Sequence, residues 1–269
     1  MLNKGDSVLV AVSGGKDSLS LWHILTKFGY APEGLYIDLG INGYSDRSLK
    51  KVLSFAKEVK ARLWVVSLKE IFGLGIKELA RVLKRPYCSA CGTFKRYLMN
   101  RISMERNLRV LATGHNLDDE VSSLLGNLLY WKEEYLWKKN VVLEEYEGHL
   151  AKKIKPFFLI SEREIAAYAF LSGIDYIYEE CPYSVGAKTL LYKEILSRIE
   201  DQSPGTKLMF LKGYLKRLKA EKEGREQGPV SYCTICNYPS WGQKCVFCSL
   251  TERLDIPYKF EYKEYDFSK

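Results

Sequence analysis

The chain has 269 residues, 46% hydrophobic and 28% charged, which suits one substantial domain with a smaller unit and excludes a disordered or fibrous polymer. Lys and Arg number 41 against 33 Asp and Glu, leaving a formal charge of +8 that suits an acidic polymer partner without requiring one. No apolar run has membrane-spanning length, and Met1-Leu2-Asn3-Lys4 leads into a strand with no secretory pattern, so a cytoplasmic protein without a membrane partner is expected.

Residues 7–12 (SVLVAV), 34–39 (GLYIDL), 62–67 (RLWVVS) and 109–113 (RVLAT) are short, rich in β-branched residues and flanked by turn formers. Helical patterns lie between them at 18–28, 45–60, 69–83 and 91–106. Alternation of this kind predicts an α/β fold, a parallel sheet with helices on both faces. A further helix follows 114-GHNLDDEVSSLL-125, where Asp118 and Asp119 suit a first turn. Residues 131–155 read as a charged excursion without clear pattern. In 161-SEREIAAYAFLSG-173, Ser161 and Glu164 have capping-box spacing and Gly173 is a stop.

The first strand ends in 13-SGGKDS-18. This is neither the G-x-x-x-x-G-K-[ST] loop nor the G-x-G-x-x-G fingerprint. Adjacent glycines permit a sharp turn, and the hydroxyls of Ser13 and Ser18 add donors at a helix start, where free N–H groups and the dipole favour an anion. From 207 to 225, Leu208, Leu211, Leu215 and Leu218 recur at helical spacing among seven basic residues. Such a run is either a solvated helix face or a surface that tracks phosphates. Residues 224–228 read as a linker. The expected division is 1–200 for the α/β domain, 201–228 for the basic helix and linker, and 229–269 for a terminal module.

Six of the seven cysteines belong to C-x-x-C pairs. In "CTICNYPSWGQKCVFC" (233–248), Cys233, Cys236, Cys245 and Cys248 form two knuckles whose four sulfurs suit a closed tetrahedral Zn²⁺ site. The tail has little apolar mass of its own, so metal would supply much of its folding energy. Cys88 and Cys91 open a helix, where the dipole lowers a thiol pKa. They read as a redox dithiol or as part of a metal site, with Cys181 the remaining partner. Three thiolates would leave one position of an iron–sulfur cluster open to another ligand.

Taken together, SGGKDS, Cys88-x-x-Cys91-Gly92, 113-TGHNLDDE-120, 181-CPYS-184, 203-SPGTK-207 and the terminal knuckles resemble the TtuA-type tRNA 2-thiolation enzymes of the PP-loop ATP pyrophosphatases. SGGKDS alone would imply only adenylation chemistry, shared with lysidine, argininosuccinate and GMP synthetases. The resemblance implies a HUP-like domain followed by a zinc ribbon. It places ATP, with Mg²⁺, on Ala11, Val12, Ser13, Gly15, Asp17 and Ser18, with Ile37 and Gly114 on the adenine and ribose side. It assigns a [4Fe–4S] cluster to Cys88, Cys91 and Cys181, and catalytic or ATP-binding roles to Lys95 and Asp119. It further implies a tRNA substrate, a homodimer, and a ubiquitin-like thiocarboxylate carrier or free sulfide as sulfur donor.

TtuA-type proteins begin with a further zinc-binding cluster, whereas here no cysteine precedes Cys88. The RNA grip is therefore expected from the Cys233–Cys248 knuckles and the 207–225 helix. The expected activity is an ATP-dependent 2-sulfurtransferase acting on T-loop ribothymidine 54. The alternatives are thiolation of a wobble uridine or a cytidine, sulfur transfer to a small molecule, and a non-catalytic zinc-stabilised RNA-binding protein.

Overall fold

The computed structural model describes residues 1–268 apart from 139, 147, 185 and 223–230; the expected linker at 224–228 lies outside the described residues. Five strands make the parallel body of the sheet: β1 (Val8–Val12), β2 (Glu33–Asp38), β3 (Arg62–Ser67), β4 (Val110–Thr113) and, after the short β5 (Val142–Leu143), β6 (Lys152–Ile154). The four-residue β9 (Lys263–Asp266) completes a seven-stranded sheet of order β5-β6-β4-β1-β2-β3-β9, with both edge strands antiparallel. A hairpin of β7 (Ser231–Tyr232) and β8 (Pro239–Ser240) carries the first terminal knuckle.

Alternation along the strands assigns the two faces. Val8, Val10 and Val12 of β1 pack with α1 (Lys16–Lys27), α2 (Tyr44–Glu58) and α8 (Glu162–Leu171), through Trp22, Phe55 and Ile165. Leu9, Leu35 and Val66 face α3 (Leu68–Phe72), α4 (Ile76–Val82) and α5 (Tyr87–Glu105) on the other side. The expected helix over 69–83 is two helices, because Gly73 adopts φ 67° and closes the first of them. The expected capping box of α8 is present, with Glu164 N–H donating to Ser161 Oγ at 3.3 Å.

A third cluster joins α6 (Leu117–Leu129), α7 (Glu133–Lys138), α9 (Lys188–Gln202) and α10 (Thr206–Lys222) around Leu124, Leu196 and Leu211. The excursion at 131–155 therefore holds α7 and two strands, and α9 lies in a stretch given no element above. Residues 231–268 pack on the α/β domain. Phe247, on α11 (Val246–Thr251), stacks on Tyr97 of α5 at 3.7 Å between centroids, and β9 pairs with β3. No helix among the described residues is long and apolar enough to cross a membrane.

Candidate active site

The strand order reverses at β1: the chain passes outward through β2 and β3, then returns to β4 on the other side. Loops leaving the carboxyl ends of β1 and β4 diverge there, and such a crevice is where open α/β sheets bind ligands. The β1 loop holds Ser13–Gly15. Ser13 N–H donates to Ser18 Oγ at 3.1 Å, and that hydroxyl donates to the Gly15 carbonyl at 3.1 Å. Gly14 has φ 80°, and a Cβ there would lie 2.9 Å from the Ser48 carbonyl oxygen. Gly15 caps α1 without a side-chain bond to the first turn, so this N-terminus presents backbone donors to an anion.

The β4 loop closes from the other side. A Cβ on Gly114 would lie 2.9 Å from the Asp17 carbonyl carbon, so only glycine lets the two loops approach this closely. Asn116 Nδ2 donates to Asp17 Oδ1 at 3.3 Å and also caps α6 in a reciprocal box with Asp119. Burial holds the Asp17 carboxyl above its usual range against the pull of Lys16. Lys16 reaches Asp17 at 3.3 Å and Glu162 at 2.6 Å, and Lys193 joins Glu162 at 3.1 Å to Asp119 at 2.6 Å. Opposing the cost of burial, these two carboxylates raise the Lys193 ammonium.

The neighbouring aspartate has a different task. Asp118 is buried, accepts from the Glu162 backbone N–H at 2.7 Å and pairs with buried Lys207 at 2.5 Å. Lys207 is thereby withdrawn from the basic face of α10, where Lys212, Lys216 and Arg217 remain exposed. Ala11 and Ile37 lie on the α5 side of the sheet and Val12 on the α1 side, all at or next to the strand ends that frame the crevice.

The cysteine half begins at Pro86, which caps α5 so that Cys88 and Cys91 fall in its first turns; the helix starts four residues before the expected 91. Ile177 N–H donates to the Gly14 carbonyl at 2.9 Å, tying the segment that carries Cys181 to the phosphate loop. Tyr183 stacks on Tyr87, and its carbonyl accepts from Cys88 Sγ at 3.8 Å. Burial pushes the Cys91 thiol up, Lys95 and Arg96 pull it down, and Cys181 and Cys88 oppose them. Cys91 thus faces both other cysteines, with Lys95 one turn beyond it on α5. Lys153, which sequence patterning passed over, stands near Arg96 and Lys155. Burial and these two cations bring it down to about 8. His115 is exposed, with Nδ1 2.9 Å from Thr113 Oγ1, and desolvation of the ring lowers its pKa, Lys155 and Lys153 acting in the same sense and Asp119 in the opposite one.

The four terminal sulfurs lie within 4.8 Å of one another, and Cys236 and Cys245 Sγ are 3.7 Å apart. Metal–sulfur bonds of about 2.3 Å in a tetrahedron put sulfurs about 3.8 Å apart, so one ion fits this cage. Among the described residues, Cys88, Cys91 and Cys181 do not form so tight a group.

A parallel sheet with a glycine-rich anion loop at its switch point defines a nucleotide-binding enzyme class, and residues 2–184 match the model of the PP-loop domain. The chain is 50% identical over 250 residues to the tRNA-5-methyluridine(54) 2-sulfurtransferase of Thermus thermophilus, covering 93% of this chain and 78% of that one. The enzyme of the same name from Pyrococcus horikoshii is 46% identical over 248 residues, covering 92% and 79%. The chain therefore belongs to the PP-loop family, within its TtuA-type branch. The structure of the U34-tRNA thiolase NcsA from Methanococcus maripaludis with its [4Fe-4S] cluster superposes with a TM-score of 0.81 at 28% identity, covering 97% of this chain and 85% of that one.

Proposed function

We propose that this protein is an ATP-dependent tRNA 2-sulfurtransferase that replaces O2 of 5-methyluridine 54 by sulfur. The observation that carries the reading is the junction of an intact anion loop with an open set of three cysteines, through the Ile177–Gly14 bond. Identities of 41–50% to position-54 enzymes favour that nucleotide over the wobble uridine of the more distant NcsA.

Ser13, Gly15, Asp17 and Ser18 form the ATP cradle, with Ala11, Val12, Ile37 and Gly114 walling the nucleoside side. Backbone donors and Lys16 neutralise phosphate charge, and Mg²⁺ accompanies the nucleotide. Transfer of AMP to the base oxygen makes that oxygen a leaving group and releases pyrophosphate. Cys88, Cys91 and Cys181 would hold a [4Fe–4S] cluster, which when bound would supply a soft sulfur nucleophile for C2. Lys95 adds a positive charge where negative charge develops, and Asp119 fixes Lys193 beside the loop. Cys233, Cys236, Cys245 and Cys248 hold a structural Zn²⁺, since four thiolates leave no open position. The exposed lysines of α10 and the knuckles contact tRNA. The chain works in the cytoplasm as a homodimer and draws sulfur from a ubiquitin-like thiocarboxylate carrier or from free sulfide.

Nucleoside mass spectrometry of tRNA from cells lacking the protein tests the assignment. Loss of the 2-thio group at position 54 is expected. Loss confined to the wobble uridine would replace the substrate but leave the adenylation chemistry in place. Release of ADP instead of AMP and pyrophosphate on incubation with unmodified tRNA would overturn the chemistry itself.

A further inference from the structure

Helix α6 ends in a Schellman motif: Trp131 N–H donates to the Leu128 carbonyl at 3.0 Å and Lys132 N–H to that of Asn127 at 2.9 Å. The C′ position of this motif takes the left-handed conformation and favours glycine. Trp131 occupies it, with φ 46°. The other described non-glycine residues with positive φ are Lys60, Lys84, Asn107, Asn237 and Asp255, all polar. The indole is also 76% exposed. A bulky aromatic residue here strains the backbone and leaves apolar surface in water, so the fold gains nothing from it. Its identity calls for a ligand.

The surroundings specify that ligand. Tyr130, the preceding residue, and Tyr135, four residues on, are also exposed, with Lys132 Nζ 5.5 Å and 5.9 Å from their ring centroids. Lys188 Nζ lies 4.6 Å from the Tyr130 ring and donates to its hydroxyl. Among the described residues, neither ammonium is paired with a carboxylate. Glu133 and Glu134 follow, but they occupy the first turn of α7, where the helix N-terminus answers their charge locally. A run of exposed rings with uncompensated cations over two of them suits a polyanion that carries flat bases. A second copy docked with this patch centred on the twofold axis would instead bring these lysines towards their own equivalents. The patch and the reactive crevice share α6: Asp119 and Trp131 are twelve residues apart, about 18 Å along the helix. An RNA molecule easily spans that distance.

We propose that Trp131 is a stacking platform for an unpaired base of the tRNA substrate, flanked by phosphate contacts from Lys132 and Lys188. This rests on the tRNA reading above. The platform positions RNA and takes no part in the chemistry.

Trp131→Gly separates binding from folding. Glycine relieves the positive φ, so the thermal midpoint should be equal or higher. The Kd and KM for unmodified tRNA should rise about 5- to 150-fold, the range for loss of one stacked base, with kcat at saturating tRNA unchanged. Trp131→Phe should retain most of the affinity. Replacing Lys132 and Lys188 by Gln should flatten the salt dependence of binding, whereas Trp131→Gly should leave its slope in place. Parental tRNA affinity in Trp131→Gly, a clearly lowered thermal midpoint, or dissociation of a dimer on sedimentation would each overturn the platform. A parent protein that thiolates tRNA alongside an unaffected Trp131→Gly variant would sink the platform alone. Failure of the parent to bind tRNA would sink both readings.

Discussion

The two groups of cysteines use the same C-x-x-C unit to opposite ends. At the C-terminus, two units face each other across a hairpin and a short helix, and their sulfurs close a cage packed against Phe247 and the α5 core. On α5, one unit faces only Cys181, carried by a segment fastened to the phosphate loop, and Cys88 remains exposed. A closed set can only hold structure together. An open set can present a ligand to a substrate. What separates them is the number of sulfurs that the fold brings to a point, not the motif.

The largest effect that tests this contrast comes from Cys91→Ser or Cys181→Ser. Thiolation should fall to background with iron lost, while the terminal metal and the urea midpoint stay near those of the parent. Retention of a full iron complement and normal turnover would dissolve the distinction. Cys248→Ala should do the reverse: metal is lost from the knuckles and stability drops by more than about 4 kcal/mol, as when a structural metal is removed. Denaturant titration alongside elemental analysis reads both.

A similar division separates the adjacent aspartates. Asp118→Asn breaks a buried pair and should cost about 3 kcal/mol in a denaturant melt. Asp119→Gln keeps a capping-box residue on α6 but releases Lys193, so thiolation should fall with little change in stability. Equal turnover by this variant and the parent would reject a role for Asp119.

The smallest effect is a pH dependence confined to the open side. Lys153 is held down to about 8, and an anionic ligand in the crevice favours its charged form. Ligand affinity should therefore be constant below that pH and weaken as pH rises through it, by at most tenfold per unit. Calorimetry in buffers of different ionisation enthalpy should register proton uptake on ATP or tRNA binding near pH 8. Lys153→Arg should abolish it.

The order of β1, its loop and α1 was legible because β-branched runs, paired glycines and an amphipathic pattern agree over residues 8–27. The four terminal cysteines could also be grouped from spacing, whereas Cys181 lies about 90 residues from Cys91 and no spacing joins it to that pair. Helix α9 was not legible, although it delivers Lys193: Leu196 alone is fully buried, while Leu191, Ile195 and Ile199 are exposed, so no buried stripe marks it. Lys153 and Lys155 escaped notice because a three-residue strand in charged surroundings has no periodicity to read. Nor does Lys263-Glu-Tyr-Asp266 signal a strand until the β3 edge is there to receive it.

That last pairing has a consequence for how the protein is made. About 200 residues separate β3 from its edge partner, and at ribosomal rates of 5–20 residues per second the interval is on the order of 10–40 s. Throughout it the nascent chain has an uncovered β-edge available for pairing with a neighbouring chain. Arg62 then gathers Glu33, Glu264 and Asp266 when the late strand arrives, so closure is electrostatically guided. Translation that stalls before Lys263 leaves this edge exposed, giving a product prone to self-association even with its phosphate loop already formed.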